Sequence, residues 1–236
     1  YAWLAHEGGW GWSNAGLIVD GDQSLLVDTL FDLALTADML AEMRRVEASA
    51  SRIETLVNTH ANGDHCHGNS LVTGAEIIAS SAAALEMAEL TPETLHALKQ
   101  AAQDMGPVGQ YFLHCFGQFN FADIPHCPPT RTFDKELDVS VGDKPVHLIN
   151  VGPAHTRGDV LVYSPQDRAV FTGDILFIET SKMPGTGQLQ ITGQLGEVMQ
   201  ESIQAAMTVV RSRAQNLGLE SEFYQKLDIH LHVPEG

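Results

Sequence analysis

No run of about eighteen apolar residues occurs in this 236-residue sequence, so no segment reads as a membrane span. The opening YAWLAHEGGW also lacks the basic-then-apolar order of a secretory leader. Cysteine is scarce. Cys66, Cys115 and Cys127 are an odd number without zinc-finger spacing, which argues against a disulfide framework and for reduced thiols. Basic side chains are few as well: 13 Lys and Arg stand against 30 Asp and Glu, a formal charge of -17. Such a surface repels phosphate backbones and anionic headgroups, so neither nucleic acid nor a membrane is an expected partner. No internal repeat, low-complexity tract or GxxxxGK[ST] nucleotide loop is present. The expectation is a cytoplasmic chain that acts on a small molecule.

What is present suits a globular core, with 44% hydrophobic and 18% charged residues. GLIVDGDQSLLVDTL reads as two strands joined by a Gly-Asp turn. LTADMLAEMRRV has helical spacing, with Thr36 or Asp38 as the expected cap, and RIETLVNTH is a buried strand running into the polar loop ANGDHCHGN. AEIIAS is another strand. Residues 81 to about 118 are helix-rich, with Thr91 before Pro92 and Glu93 as a helix start. DIPHCPPTRTF reads as a Pro-rich connector, after which KPVHLINVG, DVLVYSP and RAVFTGDIL return to strand. This alternation is the α/β signature. From about Glu179 the character changes to a Gly-rich, hairpin-like SKMPGTGQLQITGQLG, a long amphipathic helix ended by Gly218, and a last strand LDIHLHVPEG. The acidity divides at the same place: residues 179–236 hold 7 acids and 4 bases, residues 1–178 hold 23 and 9.

The chemistry concentrates in His60-Ala-Asn-Gly-Asp64-His65, where a buried strand gives way to a loop, together with His155 and Asp174 at the carboxyl ends of later strands. Strand-end side chains of an α/β fold converge on one crevice, and neutral imidazoles with carboxylates are the ligand set that holds zinc with a position open to water. One histidine would read as a core residue. Five such residues on three strand-end loops read as a metal site for one or two divalent ions.

These residues resemble the metallo-β-lactamase fold superfamily over about residues 1–178, through Asp28 in LLVDT, the THANGDH loop, GPAHT around His155 and FTGD around Asp174. The resemblance implies an αββα sandwich, here incomplete. It places His60 and His155 on one zinc, Asp64 and His65 on a second, Asp174 between them, and Asp28 in support. Asn62 stands where the family has a further histidine at the first metal, and its amide oxygen is a poorer ligand than imidazole. The family's last histidine has no counterpart in matching context; His230 and His232 lie in an IHLHV strand pattern. Residues 179–236 resemble instead an internal piece of the Lon protease proteolytic domain, through TGQLGEVMQESIQAA, VVRSRAQNLG and DIHLHVPEG. That family's catalytic Ser and Lys lie beyond the VPEG segment, and no serine of this stretch occupies the nucleophile motif. The expectation is therefore two domains, 1–178 and 179–236, joined as a fusion of incomplete parts.

The implied reaction is metal-assisted hydrolysis of an ester, thioester or lactone, with Asp64 and Asp174 orienting the attacking hydroxide. Two rivals are an impaired metal-binding or interaction module and a fragment of an ATP-dependent serine protease. Other candidates have plainer readings. Cys66 and His67 read as rim residues of the metal loop, and the His114-Cys115 and His126-Cys127 pairs lack chelating spacing. Trp3, Trp10 and Trp12 with Gly8, Gly9 and Gly11 form either an apolar lip or strand packing. Phe112, Phe116, Phe119 and Phe121 form either a lid or the buried face of the helices.

Overall fold

The computed structural model describes residues 1–5, 11–175, 179–193, 203–204, 207–208, 210–211 and 222–233. Trp10 and the expected long helix with its Gly218 end therefore lie wholly or mostly outside the described residues. The chain forms two compact units, Tyr1–Gly173 and Asp174–Gly236.

The first unit is built on two sheets. Strands β1 (Ala2–Trp3), β2 (Ala15–Asp20), β3 (Gln23–Val27), β4 (Thr55–Val57), β5 (Glu76–Ser80) and β6 (Arg131–Phe133) lie side by side in chain order. The first three run antiparallel, and β3 to β6 run parallel. Strands β7 (Glu136–Val141), β8 (Lys144–Asn150), β9 (Val160–Ser164) and β10 (Ala169–Phe171) form an antiparallel meander. Successive side chains of a strand point to opposite faces, and the sequence uses both. Ile18, Leu25, Val27, Val57 and Ile78 pack against Val146, Leu148, Val160 and Val162 of the second sheet. Their neighbours Leu17, Leu26, Leu56 and Ile77 pack on the other side against Met39, Leu40 and Met43 of helix α1 (Leu33–Val46). Covering both faces is why β3 to β5 read as unbroken apolar runs. Each such fully buried side chain contributes about 1.5–3 kcal/mol.

The cap of α1 differs from the expectation. Asp32 is the N-cap, its side chain accepting from Leu35 N–H at 2.9 Å, while Thr36 lies inside the first turn. The Thr36 hydroxyl donates to Asp32 O at 2.9 Å and accepts from Leu30 N–H at 3.1 Å, so it is buried and occupied. It also explains Gly68. A Cβ there would stand 2.0 Å from Thr36 Oγ1, where the backbone of the metal loop crosses α1. Gly68→Ala is expected to lower stability by about 1–3 kcal/mol through overpacking, read from urea denaturation. An unchanged midpoint would mean that the crossing is loose.

Strands β6 and β7 go beyond the sequence pattern, in which residues around 123–133 read as a connector. In β7 the inward Leu137, Val139 and Val141 alternate with exposed Glu136, Asp138 and Ser140, so its mean polarity hides its pattern. Helices α2 (Gly63–Cys66), α3 (Ser81–Met87), α4 (Pro92–Ala101) and α5 (Gly106–Phe116) complete the described α-helices of this unit, beside three short 3-10 turns, with Thr91 capping α4 as expected. The aromatic group resolves toward packing. Phe31, Phe119 and Phe121 are buried together, with Trp12, Phe112 and Phe116 against them. Trp12 meets Phe119 edge-on at 5.3 Å.

In the second unit β11 (Glu179–Pro184) and β12 (Leu189–Gly193) are not paired as a hairpin. Both flank β13 (Leu227–Val233), β11 antiparallel to it and β12 parallel. The reason lies in the turn. One carboxylate oxygen of Asp228 accepts the backbone N–H groups of Thr186, Gly187 and Gln188 at 2.8–2.9 Å, which holds the connection over β13 and lets that strand insert. These donors hold the Asp228 carboxyl below the usual carboxylate range. Among the described residues, Ile203 and Leu231 with Leu189 and Ile191 make the apolar core of this unit.

Candidate metal centre

The loop that leaves β4 is anchored by buried polar groups before it reaches the ligand candidates. Asn58 and Asn69 pair their amides, at 2.8 and 3.1 Å, and Thr29 donates to Asn69 Oδ1 at 3.0 Å. Asn58 Nδ2 also donates to His65 O at 2.8 Å, and Thr29 N–H donates to the same carbonyl at 3.0 Å. Burying two amides is costly unless every group is bonded, and here the bonds fold the loop back across the ends of β3 and β4. Ser13 Oγ, from the segment before β2, donates to Asp64 O. Val160 N–H donates to Thr59 O at 2.7 Å and ties the second sheet to the same loop.

Asp28 sets the orientation of the ligand candidates. Its backbone sits at φ 63°, a left-handed conformation that few residues other than Gly, Asn and Asp adopt. The residue is 2% exposed, and its carboxylate receives three donors. Thr59 N–H meets Oδ1 at 2.7 Å, Thr59 Oγ1 meets Oδ2 at 2.7 Å, and His65 Nδ1 meets Oδ2 at 2.8 Å. These contacts fix where the protons lie. The one hydroxyl proton of Thr59 goes to the carboxylate, so the contact of Thr59 Oγ1 with His60 Nδ1 at 3.0 Å takes its proton from the imidazole. His65 likewise donates from Nδ1. Both imidazoles are thereby set as Nδ1–H tautomers, with the lone pair on Nε2. A carboxylate that fixes the far nitrogen in this way is the support a metal-ligating histidine needs.

The two rings lie 4.2 Å apart between centroids, and His155 stands edge-on to His60 at 5.2 Å. Gly173, at φ +53°, passes so close to Thr59 and His60 that an added Cβ would lie 2.5 Å from Thr59 Oγ1, and Asp174 follows it directly. His60, His65 and Asp174 each offer one ligand atom, and the three atoms lie within 4.8 Å of one another. Asp64 Oδ2 is 3.8 Å from His65 Nε2. His155 is exposed, on a loop stapled by buried Asp159, which accepts from Ala154 N–H, Thr156 N–H and the Thr156 hydroxyl. Asn62 Nδ2 lies 3.0 Å from His155 Nε2, so the amide faces this cluster and engages the imidazole. Two imidazole nitrogens and a carboxylate, with a third imidazole and a second carboxylate beside them, fit the borderline donor set of a divalent ion such as zinc.

His230 is held within the second unit, its Nε2 2.8 Å from Thr192 Oγ1. Cys66 Sγ donates to Asn62 O at 3.3 Å; burial, with the charges of Asp28 and Asp64, keeps its thiol above the usual range and so protonated. Burial pulls the His67 imidazole down to about 4, so it is neutral near pH 7. Sequence reasoning missed Thr59, Asn58, Asn69 and Thr29. The signal that would have found them is a polar pair, Asn58-Thr59, ending an apolar strand with no turn residue between.

Comparison with known proteins agrees with both halves of this picture. A solved structure, BLEG-1 B3 metallo-beta-lactamase, superposes with a TM-score of 0.50 at 18% identity, over 75% of this chain and 73% of that one. A metallo-beta-lactamase from Pontibacter korlensis gives 0.47 at 18%, over 68% and 59%. The family model for the Lon protease (S16) C-terminal proteolytic domain matches residues 162–236. Lon protease of Vibrio parahaemolyticus is 72% identical over 64 residues, and that of Heliobacterium modesticaldum 44% over 107. These alignments cover 27% and 44% of this chain but 8% and 13% of the relatives, so the chain spans a small part of their length. The chain thus joins the mixed α/β fold of the metallo-β-lactamases to a C-terminal segment similar to the proteolytic domain of Lon proteases.

Proposed function

We propose that the first unit, with Asp174, is a metal-dependent hydrolase acting on a small ester, thioester or lactone. The observation that carries this is the pair of Nε2 lone pairs on His60 and His65, both set by Asp28 and Thr59 and both beside a carboxylate of Asp174. His60, His65 and Asp174 would hold one ion, and His155 with Asp64 would hold a second or complete the first. When bound, zinc supplies Lewis acidity toward an acyl carbonyl and acidifies water near neutral pH. Asp64 keeps a partly exposed carboxylate at the rim, where it can accept a proton from water and return it to the leaving group. The chain's own contribution is position: the Asn58-Asn69 pair and the Asp28 network fix the imidazoles before substrate arrives, so no reorganisation is needed at reaction.

Protein loaded with zinc should hydrolyse an activated acyl ester, a thioester or a γ-lactone, and chelation should abolish the rate. His60→Ala should lower it by about two orders of magnitude or more, the scale seen when one electrostatic group of a preorganised site is removed. A rate that survives both chelation and His60→Ala would overturn the proposal. A second reading, an impaired metal-binding module, draws support from Asn62, whose amide sits against His155 where the fold's resemblance calls for an imidazole. Stoichiometric metal uptake without turnover on any of the three substrates would favour it.

A further inference from the structure

Of the three imidazoles at the candidate centre, His60 and His65 are buried and His155 is exposed. A ligand on a solvent-facing loop loses more freedom when an ion fixes it, unless the backbone beneath it is already held. Residues 151–159, between β8 and β9, form no helix or strand, so their bracing comes from elsewhere. The neck of the loop is closed by Val151 N–H, which donates to Asp159 O at 2.9 Å. There the two arms touch: a Cβ at Gly152 would stand 2.6 Å from Arg157 O and 2.8 Å from Asp159 N. The far side docks on the β5–α3 junction, where Ser80 Oγ donates to Gly158 O at 2.6 Å while accepting from Ala83 N–H at 3.1 Å. Val160 N–H, one residue beyond the loop, is bonded to Thr59 O beside His60.

Inside this frame lies the carboxylate of Asp159, a residue 1% exposed. Its Oδ2 accepts from Ala154 N–H at 3.2 Å and from Thr156 N–H at 2.8 Å, the groups immediately before and after His155 in the chain. Its Oδ1 accepts from the Thr156 hydroxyl at 3.0 Å. One oxygen thus takes the N–H of both neighbours, which restricts the backbone on either side of the histidine. A buried carboxylate is costly unless it is bonded, and these three donors keep this one in place. The imidazole so set stands edge-on to His60 at 5.2 Å and meets the Asn62 amide at 3.0 Å.

We propose, resting on the reading of this cluster as a divalent-ion site, that Asp159 is the positioning residue of His155, acting through hydrogen bonds to the backbone on both sides of the histidine rather than through its charge. The centre is then assembled by two separate carboxylates, Asp28 for His60 and His65 and Asp159 for His155. The two differ in what an amide can replace. At Asp28 an amide collides with a backbone N–H or reverses the imidazole tautomers. At Asp159 the partner of Oδ1 is a hydroxyl, which can turn to accept from an amide nitrogen while the amide oxygen keeps both N–H groups. Asp159→Asn should therefore preserve the arrangement that Asp159→Ala loses.

The test is a zinc competition titration on the whole chain, paired with nuclear magnetic resonance of the metal-free protein. Asp159→Ala should weaken zinc binding by about 10–100-fold, the range for residues that orient a ligand, and Asp159→Asn should stay within about threefold. Asp159→Glu, which keeps the charge but overfills the loop, should fail as Asp159→Ala does. His155→Ala should also weaken binding. In that background Asp159→Ala should add less than about twofold, since a residue acting only through His155 has nothing left to position. In metal-free protein the Asn62 side-chain amide and the His155 ring should give a nuclear Overhauser contact in wild type and Asp159→Asn, and none in Asp159→Ala. Wild-type zinc affinity in Asp159→Ala, loss in Asp159→Asn with rescue by Asp159→Glu, a full further loss from Asp159→Ala in the His155→Ala background, or a contact that survives Asp159→Ala would each overturn the proposal. Wild-type affinity in His155→Ala would instead sink the reading of His155 as a ligand, and the metal-free contact then decides the role of Asp159 by itself. If Asp159→Ala does not fold, Asp159→Glu supplies both readouts.

Discussion

Asp28→Asn should weaken zinc binding by about 10–100-fold, although it changes no ligand and barely alters the size of the side chain. Asn tolerates the left-handed backbone at this position, so the substitution isolates the hydrogen-bond chemistry. Three donors converge on the Asp28 carboxylate, and an amide has one oxygen to receive them. If the amide nitrogen takes the place of Oδ1, it faces Thr59 N–H at 2.7 Å, donor against donor. If it takes the place of Oδ2, the Thr59 hydroxyl must turn its proton to His60 Nδ1, and His65 Nδ1 must become an acceptor. Both imidazoles then carry their protons on Nε2, where the ion should be. Stability should fall as well, by about 1–3 kcal/mol for the buried donor left unmatched. A competition titration and a urea melt measure the two effects. A zinc affinity within about twofold of wild type, against the scale of supporting-residue losses, would mean that the tautomers are not set by Asp28.

The opposite change is expected from Asn62→His. Asn62 is the residue before α2, yet its side chain makes no capping hydrogen bond, so the helix loses nothing when it is replaced. In place, the amide N–H donates to His155 Nε2 at 3.0 Å and occupies the lone pair an ion would use. An imidazole at 62 releases His155 and adds a nitrogen donor of its own. Zinc should bind about tenfold more tightly or better, a gain of ~1.4 kcal/mol. Asn62→Ala separates the two contributions, because it frees His155 without adding a ligand and should give the smaller gain. Unchanged affinity in Asn62→His would place residue 62 outside the shell of any ion.

How far the sequence led depends on whether a residue's partners are local. The apolar runs in residues 15–27, 55–57 and 76–80 predict the strands at the centre of the first unit, because burial on both faces leaves an unbroken signal. Strand β7 alternates instead, its exposed Glu136, Asp138 and Ser140 dilute the apolar signal, and the Pro-rich run before it hides it. For α1, three candidate caps stand within seven residues, and only the fold shows that Thr36 is used for Leu30 while Asp32 caps. The pairing of β11 and β12 with β13 was beyond reach, since it turns on Asp228, some forty residues from the turn it holds. The candidate ligands are legible because they cluster at strand ends, and Asp28 is named beside them through the resemblance. Its partner Thr59, 31 residues away, and the Asn58–Asn69 pair, eleven apart, are not.

Elemental analysis of chain supplied with zinc and freed of excess tests most directly whether His60, His65 and Asp174 hold a divalent ion. Wild-type chain should carry about one to two zinc ions and the His60→Ala/His65→Ala variant less than about a tenth of an ion, the difference between a filled and an unfilled site at equilibrium. Less than about a tenth of an ion in the wild type, or equal zinc in the two proteins, would contradict it.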